Sequence, residues 1–406
     1  MTTNALLTPS VITKETLVIL ENNLVAAGKV NRQFENQFVK IGSTITVRKP
    51  NRFIVANGPG LQLQNITEPS TSLTVNNQFQ VAFQFTSQDL TLVIEEFSER
   101  YCKPAAAEIA NALDYLVLTN FNQVANLVGT PGTTPNSFLS LAAVGQRMDE
   151  NAVPQDGRTL VVNPKAYWAL ANAFIGIYVK SVAEPALKGF LANIANFEIY
   201  MDQNIQSQTV GAYAGSGVVN GANQSGSSIV TNGWTASING LLNVGDVITF
   251  AGVNNVNPKN RQSTGSLANF VVTGTVNSDA NGNATIPISP AMIGPTTVSS
   301  SNPTGAVAYQ NVSALPANLA AITVSTGTAS TLYPQNLGFV RDAFGLVTVP
   351  LEMPQGVDFA AREAYKGITI RMIRAYDINT DVIPCRLDLL CGTATFCQEL
   401  ACRLTG

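Results

Sequence analysis

Four sets of residues in this chain have types that could do chemistry. The first is the cysteines: Cys102, then Cys385, Cys391, Cys397 and Cys402. Thiolates hold zinc best as paired C-x-x-C ligands. Here the spacers are five, five and four residues in strand-like apolar stretches, so these thiols read as small buried hydrophobes. Arg100 or Lys103 could activate Cys102, but the sequence contains no histidine to serve as its base. The second set is the carboxylate pairs Glu95-Glu96 and Asp149-Glu150. Neighbours on a helix point in different directions, so neither is an acid/base dyad. They read as solvated or interface faces. The third is a pair of loops. Asp279-Ala-Asn281-Gly282-Asn283 has the start of a calcium loop without its sixth-position glycine or closing glutamate, and reads as a hairpin turn. Gly215-Ser-Gly217 fails the dinucleotide fingerprint, because Asn220 stands at the third glycine position and no helix follows. The fourth is a basic cluster, Arg48, Lys49 and Arg52 beside Phe53. It has three readings: a nucleic-acid contact, plain solvation, or a contact between subunits with Glu95, Glu96 and Glu99 of a neighbour.

Composition narrows these choices. Zero histidines remove Ser-His-Asp and Cys-His catalysis and His-based pH switching. Charged residues are 12% of 406, about half the usual ~25%, and the net charge is −3. No basic excess supports tight nucleic-acid binding. No apolar run reaches the ~18–20 residues of a membrane span; the best, Ala105–Leu118, is broken by Glu108 and Asp114. The opening MTTNALLTPS lacks a secretory pattern, which together with the odd cysteine count favours reduced thiols. No cofactor and no metal is expected. Hydrophobic residues at 45% can bury real cores, and the length suggests two or three domains. So weakly charged a surface suits a chain covered by copies of itself.

The elements that must position these residues follow from periodicity. Thr8, Pro9 and Gly28 bound a helix with Ile12, Ile19, Leu20 and Leu24 on one stripe. Ile45 and Val47, then Phe79, Val81, Phe83 and Phe85, alternate with polar residues as two strands. The long proline- and glycine-containing connection makes them an extended arm, and a lone arm of this kind needs a neighbour to rest on. Residues 88–128 read as a short helix followed by a long one from Pro104. Asn136 or Ser137 caps a helix to about Glu150, and Asn163-Pro164 caps the next, with Thr159–Val162 a buried strand between them. From 206 to 331 the chain turns glycine-, serine- and threonine-rich, with strands at Thr235–Ile238, Val247–Phe250, Phe270–Val276 and Ala284–Ile288. Strands return at Leu346–Val349, Lys366–Ala375, Pro384–Leu390 and Thr395–Leu404.

This order of parts resembles the major coat protein of tailed double-stranded DNA bacteriophages, of the short-tailed P-twenty-two-like type with an inserted β-barrel. The stretches SERYCKPAAAEIANALDYLVL, DGRTLVVNPKAYWAL, NVGDVITFAGV and YPQNLGFVRDAFGLVTVPLEMP carry the likeness, in order, over nearly the whole chain. The resemblance implies an α+β, HK-ninety-seven-type capsid fold. Its parts would be an N-terminal arm helix (1–40), an extended loop (41–87), the spine helix and peripheral domain (88–129), and an axial domain (130–205, returning at 332–355). The inserted barrel would be 206–331 and a C-terminal sheet 356–406. In the insert it singles out the loop Val253–Gly265, with Lys259 and Arg261. With Arg48, Lys49, Arg52, Phe79, Phe83, Glu95, Glu96 and Glu99, these are the candidate contacts between subunits.

The implied function is structural, not enzymatic. Copies would form hexamers and pentamers of an icosahedral shell around double-stranded DNA, contacted only weakly. Assembly would take place on a scaffolding protein in the host bacterial cytoplasm, with a portal, and with decoration proteins left open. Maturation would expand the shell. The virion is the final location and no membrane is involved. Two rival readings stand beside it: a β-rich glycan-binding or adhesive surface protein, which would need exposed aromatic platforms, and a carboxylate-based hydrolase without histidine, which would need two facing acids that the sequence does not supply.

Overall fold

The computed structural model describes residues 9–33, 44–55, 63, 68–86, 101–174, 190–296, 307–357 and 359–406. The class is α+β, and the chain divides into two compact units. The first contains residues 1–47, 70–117 and 344–396; the second contains 48–69, 118–343 and 397–406.

In the first unit, strand Val382–Thr395 is the hub. It pairs with Phe344–Val349 and Ile368–Arg374, and Phe359–Tyr365 completes the edge. Its other side takes Asn77–Thr86 in antiparallel register, with Cys385 opposite Phe83 and Leu389 opposite Phe79. This corrects one expectation. Residues 77–86 are not half of the arm hairpin; the strand Thr44–Arg48 pairs instead with Ser70–Thr74. Phe85 is buried against Tyr101, with ring centroids 4.7 Å apart, and Phe83 stacks on the same ring at 6.1 Å. Alternation told which face is apolar; of its four residues only Phe85 is buried, while Phe79, Val81 and Phe83 stay half-buried.

The helix Pro9–Asn23 lies against the strands 359–365 and 368–374 and buries Leu17 and Leu20. It stops five residues before Gly28, because Val25 and Ala27 give their N–H groups to the Asp114 carboxylate rather than to a further helical turn. Asp114 sits on the long helix Lys103–Leu118, whose buried face is Ala106, Ile109, Ala110, Leu113 and Val117. That helix was expected to run to residue 128. It ends at Leu118, passes through a 3₁₀ turn at Thr119–Gln123, and becomes strand at Leu127–Val128, drawn off by pairing with Arg403 and Leu404.

In the second unit the main sheet runs 127–128, 401–405, 332–340, 158–162, 197–201, 190–194. Two helices cover it. Phe138–Glu150 is capped by Ser137, whose hydroxyl accepts the N–H of Ser140, and Pro164–Phe174 by Asn163, whose side chain accepts the N–H of Ala166 at 2.8 Å. Leu141, Val144, Leu160, Tyr167, Leu170 and Phe197 form their shared core.

Strand Ser207–Thr209 then pairs with Leu332–Pro334, Tyr333 opposite Gln208, and the segment between these two strands is the one expected from sequence as an insert. The insert carries a sheet in the order 322–324, 247–250, 270–272, 284–292, 226–234, 215–219. Its outermost strands meet: Val218 bridges Ala321, and Val219 exchanges backbone hydrogen bonds with Ala320 and Leu319. The sheet therefore closes on itself around Ile229, Ile248, Phe250, Phe270, Ile286 and Ile288. The expected strand at 235–238 is a turn. The strand ends at Trp234, Ser237 takes a left-handed φ of 58°, and the Ser237 N–H bonds Asp279. Likewise 396–400 breaks the expected last strand, which is Ala401–Thr405.

Candidate functional site

The basic candidates divide by partner. Arg48 is exposed and pairs with Glu68 at 3.1 Å, across the base of its own arm. Lys49 gives its N–H to the Pro69 carbonyl at 2.8 Å. The Arg52 guanidinium pairs with Glu399 and lies 5.9 Å from the Tyr309 ring, and the Arg52 backbone N–H donates to the Tyr309 hydroxyl. Part of the charge expected to face a neighbour is thus answered within the chain. Glu95, Glu96 and Glu99 lie outside the described residues. Phe79 and Phe83 are half-buried on the sheet of the first unit.

Lys259 and Arg261 sit on the turn of a two-stranded ribbon, Asn254–Val256 with Ser263–Leu267. Asn257 shapes the turn by accepting the Lys259 N–H at 2.9 Å, and Arg261 adopts a left-handed φ of 57°. Lys259 is exposed, while the Arg261 guanidinium donates to the Phe53 carbonyl at 2.8 Å. Arg52 and Arg261, far apart in sequence, thus converge on the same arm root.

Polar bonds fasten the insert to the rest of its unit. Buried Arg147 donates to Ser266 and to the Leu267 carbonyl, both at 3.0 Å. Side-chain amides form a relay: Asn255 donates to Asn151, Asn151 to Asn126, and Asn126 to the Ala401 carbonyl. At the neck, the buried Asp246 carboxylate accepts the N–H groups of Gly211 and Asn243 and the side-chain amide of Gln208. Burial still pushes its carboxyl above the usual range, against those donors and the nearby Arg403. Burial likewise pulls the fully enclosed Arg403 down to about 9, which leaves it cationic at neutral pH. Arg403 donates to the Gly245 carbonyl at 2.8 Å and its guanidinium lies 5.7 Å from the Phe121 ring. Sequence reading missed this joint. Its one local signal was an arginine among the small and apolar residues of the strand ACRLT, a cation that is costly to bury without acceptors.

The loops that invited ligand readings are occupied by their own chain. Asp279 accepts the N–H groups of Asn281 and Asn283, both at 2.8 Å, which holds its carboxyl below the usual range. Of the three insert aromatics an adhesive surface could display, Trp234 is only 6% exposed and its indole N–H donates to Thr231 at 2.9 Å, while Tyr213 and Tyr309 are half-buried.

A family model described as P22 coat protein, gene protein 5, matches residues 1–406, the whole chain. The chain belongs to the P22 coat protein family. Coat proteins are structural components of the virion and not enzymes, and the expected α+β class is the one observed. No curated protein matches the chain. Among solved structures, Mycobacterium phage Che8 is similar at 11% identity and a TM-score of 0.48, over 94% of this chain and 90% of that one. The capsid of Ralstonia phage GP4 gives 8% identity and 0.46, over 90% and 83%. The CUS-3 coat protein I-domain is 28% identical with a TM-score of 0.20, covering 28% of this coat protein and 96% of that chain. Among the described residues, no helix is long and apolar enough to cross a membrane.

Proposed function

We propose that this coat protein is the repeating unit of an icosahedral shell that forms on a scaffolding protein in the bacterial cytoplasm, takes in double-stranded DNA through a portal, and expands as it matures. Family membership along the full chain carries the reading. The residues support it physically. A low charge density limits repulsion between hundreds of copies, and the absence of a basic excess lets packed DNA slide. Expansion needs two packings of one fold, and polar joints of the kind at Arg147 and Asn151 exchange partners more readily than a continuous apolar core. The boundaries given above for arm, extended loop, spine, axial and C-terminal parts belong to this proposal, with the insert at 206–331 as a barrel domain. So does the role of the ten contact candidates.

The test is electron microscopy of the overexpressed protein with and without its scaffolding partner. Closed shells of uniform size are expected with the partner. Monomers or irregular aggregates under both conditions would refute the reading.

A further inference from the structure

The arm root and the insert ribbon together form a groove of about 730 Å³. Phe53 and Val55 contribute from the arm, Pro258, Lys259 and Arg261 from the ribbon, and Arg52 lines it as well. The bond from Arg261 to the Phe53 carbonyl ties the two segments together across 208 positions of sequence. The groove is open and mixed in character, with Phe53 (56% exposed) and Val55 (95%) on one wall and polar side chains such as Asn260, Gln262 and Gln310 beside the cations. No carboxylate lines it among the described residues. Arg52 is already neutralised by Glu399, whereas Arg261 meets backbone carbonyls, and Lys259 forms no ion pair among the described residues. Two positive charges are therefore left beside exposed apolar side chains.

A chain of net charge −3 with few charges has little long-range field, so recognition between copies depends on local patches. One stretch has the complementary character. Residues 89–99, DLTLVIEEFSE, carry four carboxylates and no cation, interleaved with Leu90, Leu92, Val93, Ile94 and Phe97. We infer that the groove receives this acidic, apolar stretch from a second copy, with Glu95, Glu96 and Glu99 facing Lys259 and Arg261. A groove on one copy and a different segment on the next make a heterologous contact, the kind that propagates around a ring. The inference rests on the coat-protein reading.

Two measurements test it. A labelled peptide of residues 88–99 should bind the full-length monomer in a salt-dependent way. Lys259→Glu should weaken that binding about fivefold, the size of one modest ion pair, while Lys165→Glu leaves it unchanged. Equal binding by the Lys259 variant, or displacement of the peptide by a short DNA duplex, overturns the inference. Second, shells are assembled from equal amounts of light and heavy-isotope chains and treated with a zero-length amine-to-carboxylate cross-linker. Mixed-isotope links between Lys259 and Glu95, Glu96 or Glu99 are expected. Links confined to one isotope place the stretch in its own chain's groove and overturn the proposal of a second copy. Failure of either result leaves shell formation intact, whereas absence of shells strikes the coat-protein reading.

Discussion

The carboxylate of Asp114 accepts the backbone N–H of Ala27 at 2.6 Å, and that of Val25 at 2.9 Å, from 87 and 89 positions away. A single buried acid on the long helix therefore fixes the turn that follows the N-terminal helix. Asp114→Ala strands two N–H groups in a buried place. It should cost about 3 kcal/mol, the range for charged hydrogen bonds. Chemical denaturation checks the loss, and hydrogen exchange should show it at residues 24–28 first.

Gly217 lies directly beneath the Trp234 indole, so an alanine Cβ there would fall within the ring. The indole is held by its bond to Thr231 and cannot swing aside. Gly217→Ala should destabilise the insert by about 2–3 kcal/mol through overpacking. The chain has only two tryptophans, so Trp234 fluorescence in a Trp168→Phe background reports the insert alone.

Asp202 is buried, and one of its carboxylate oxygens has no partner within the described protein. Burial pushes its carboxyl above the ordinary value, against the hydrogen bonds from Asn204. The folded state therefore binds a proton more readily than the unfolded chain, and folding at neutral pH must enclose a charge. Asp202→Asn should raise stability at pH 7. The gain should shrink as pH falls through the raised carboxyl range, where the parent chain protonates and loses the same penalty. Melting curves of both proteins between pH 4 and pH 7 test the sign, and an advantage that grows on acidification would overturn it.

Burial pushes the thiols of Cys102 and Cys385 up to about 11, and those of Cys391 and Cys402 up to about 12. Only Cys397 has partial exposure, and its thiol is raised too. Because thiolate is the reactive form, alkylation of the native protein at pH 8 should modify Cys397 at most. All five should react in denaturant. Mass spectrometry of the labelled peptides decides this.

What could be read from sequence was what local chemistry dictates. Ser137 and Asn163 were legible as helix caps because a short polar side chain before a helical period has one efficient use. Val247–Phe250 and the turn after Asp279 were legible for similar reasons. Partners were not. Phe79 to Phe85 announce an apolar strand face, but nothing near them says that the mate is Val382–Thr395, about three hundred residues later. Leu127 and Val128 carry on a helical pattern and still join a sheet, because Arg403 and Leu404 offer hydrogen bonds that period alone cannot reveal. At the candidate site, Arg52 was visible as a cation, while its acid, Glu399, is fixed only by the folded chain.

The paired strands Ser207–Thr209 and Leu332–Pro334 place the two ends of a long excursion side by side, a strand spacing of about 5 Å apart. To the host sheet, 122 intervening residues and a tight hairpin present the same geometry, and loop-closure entropy rises only slowly with length. The position is a socket. A foreign module whose own termini lie close together could be plugged in there, turning one shell into a display for as many cargoes as it has copies.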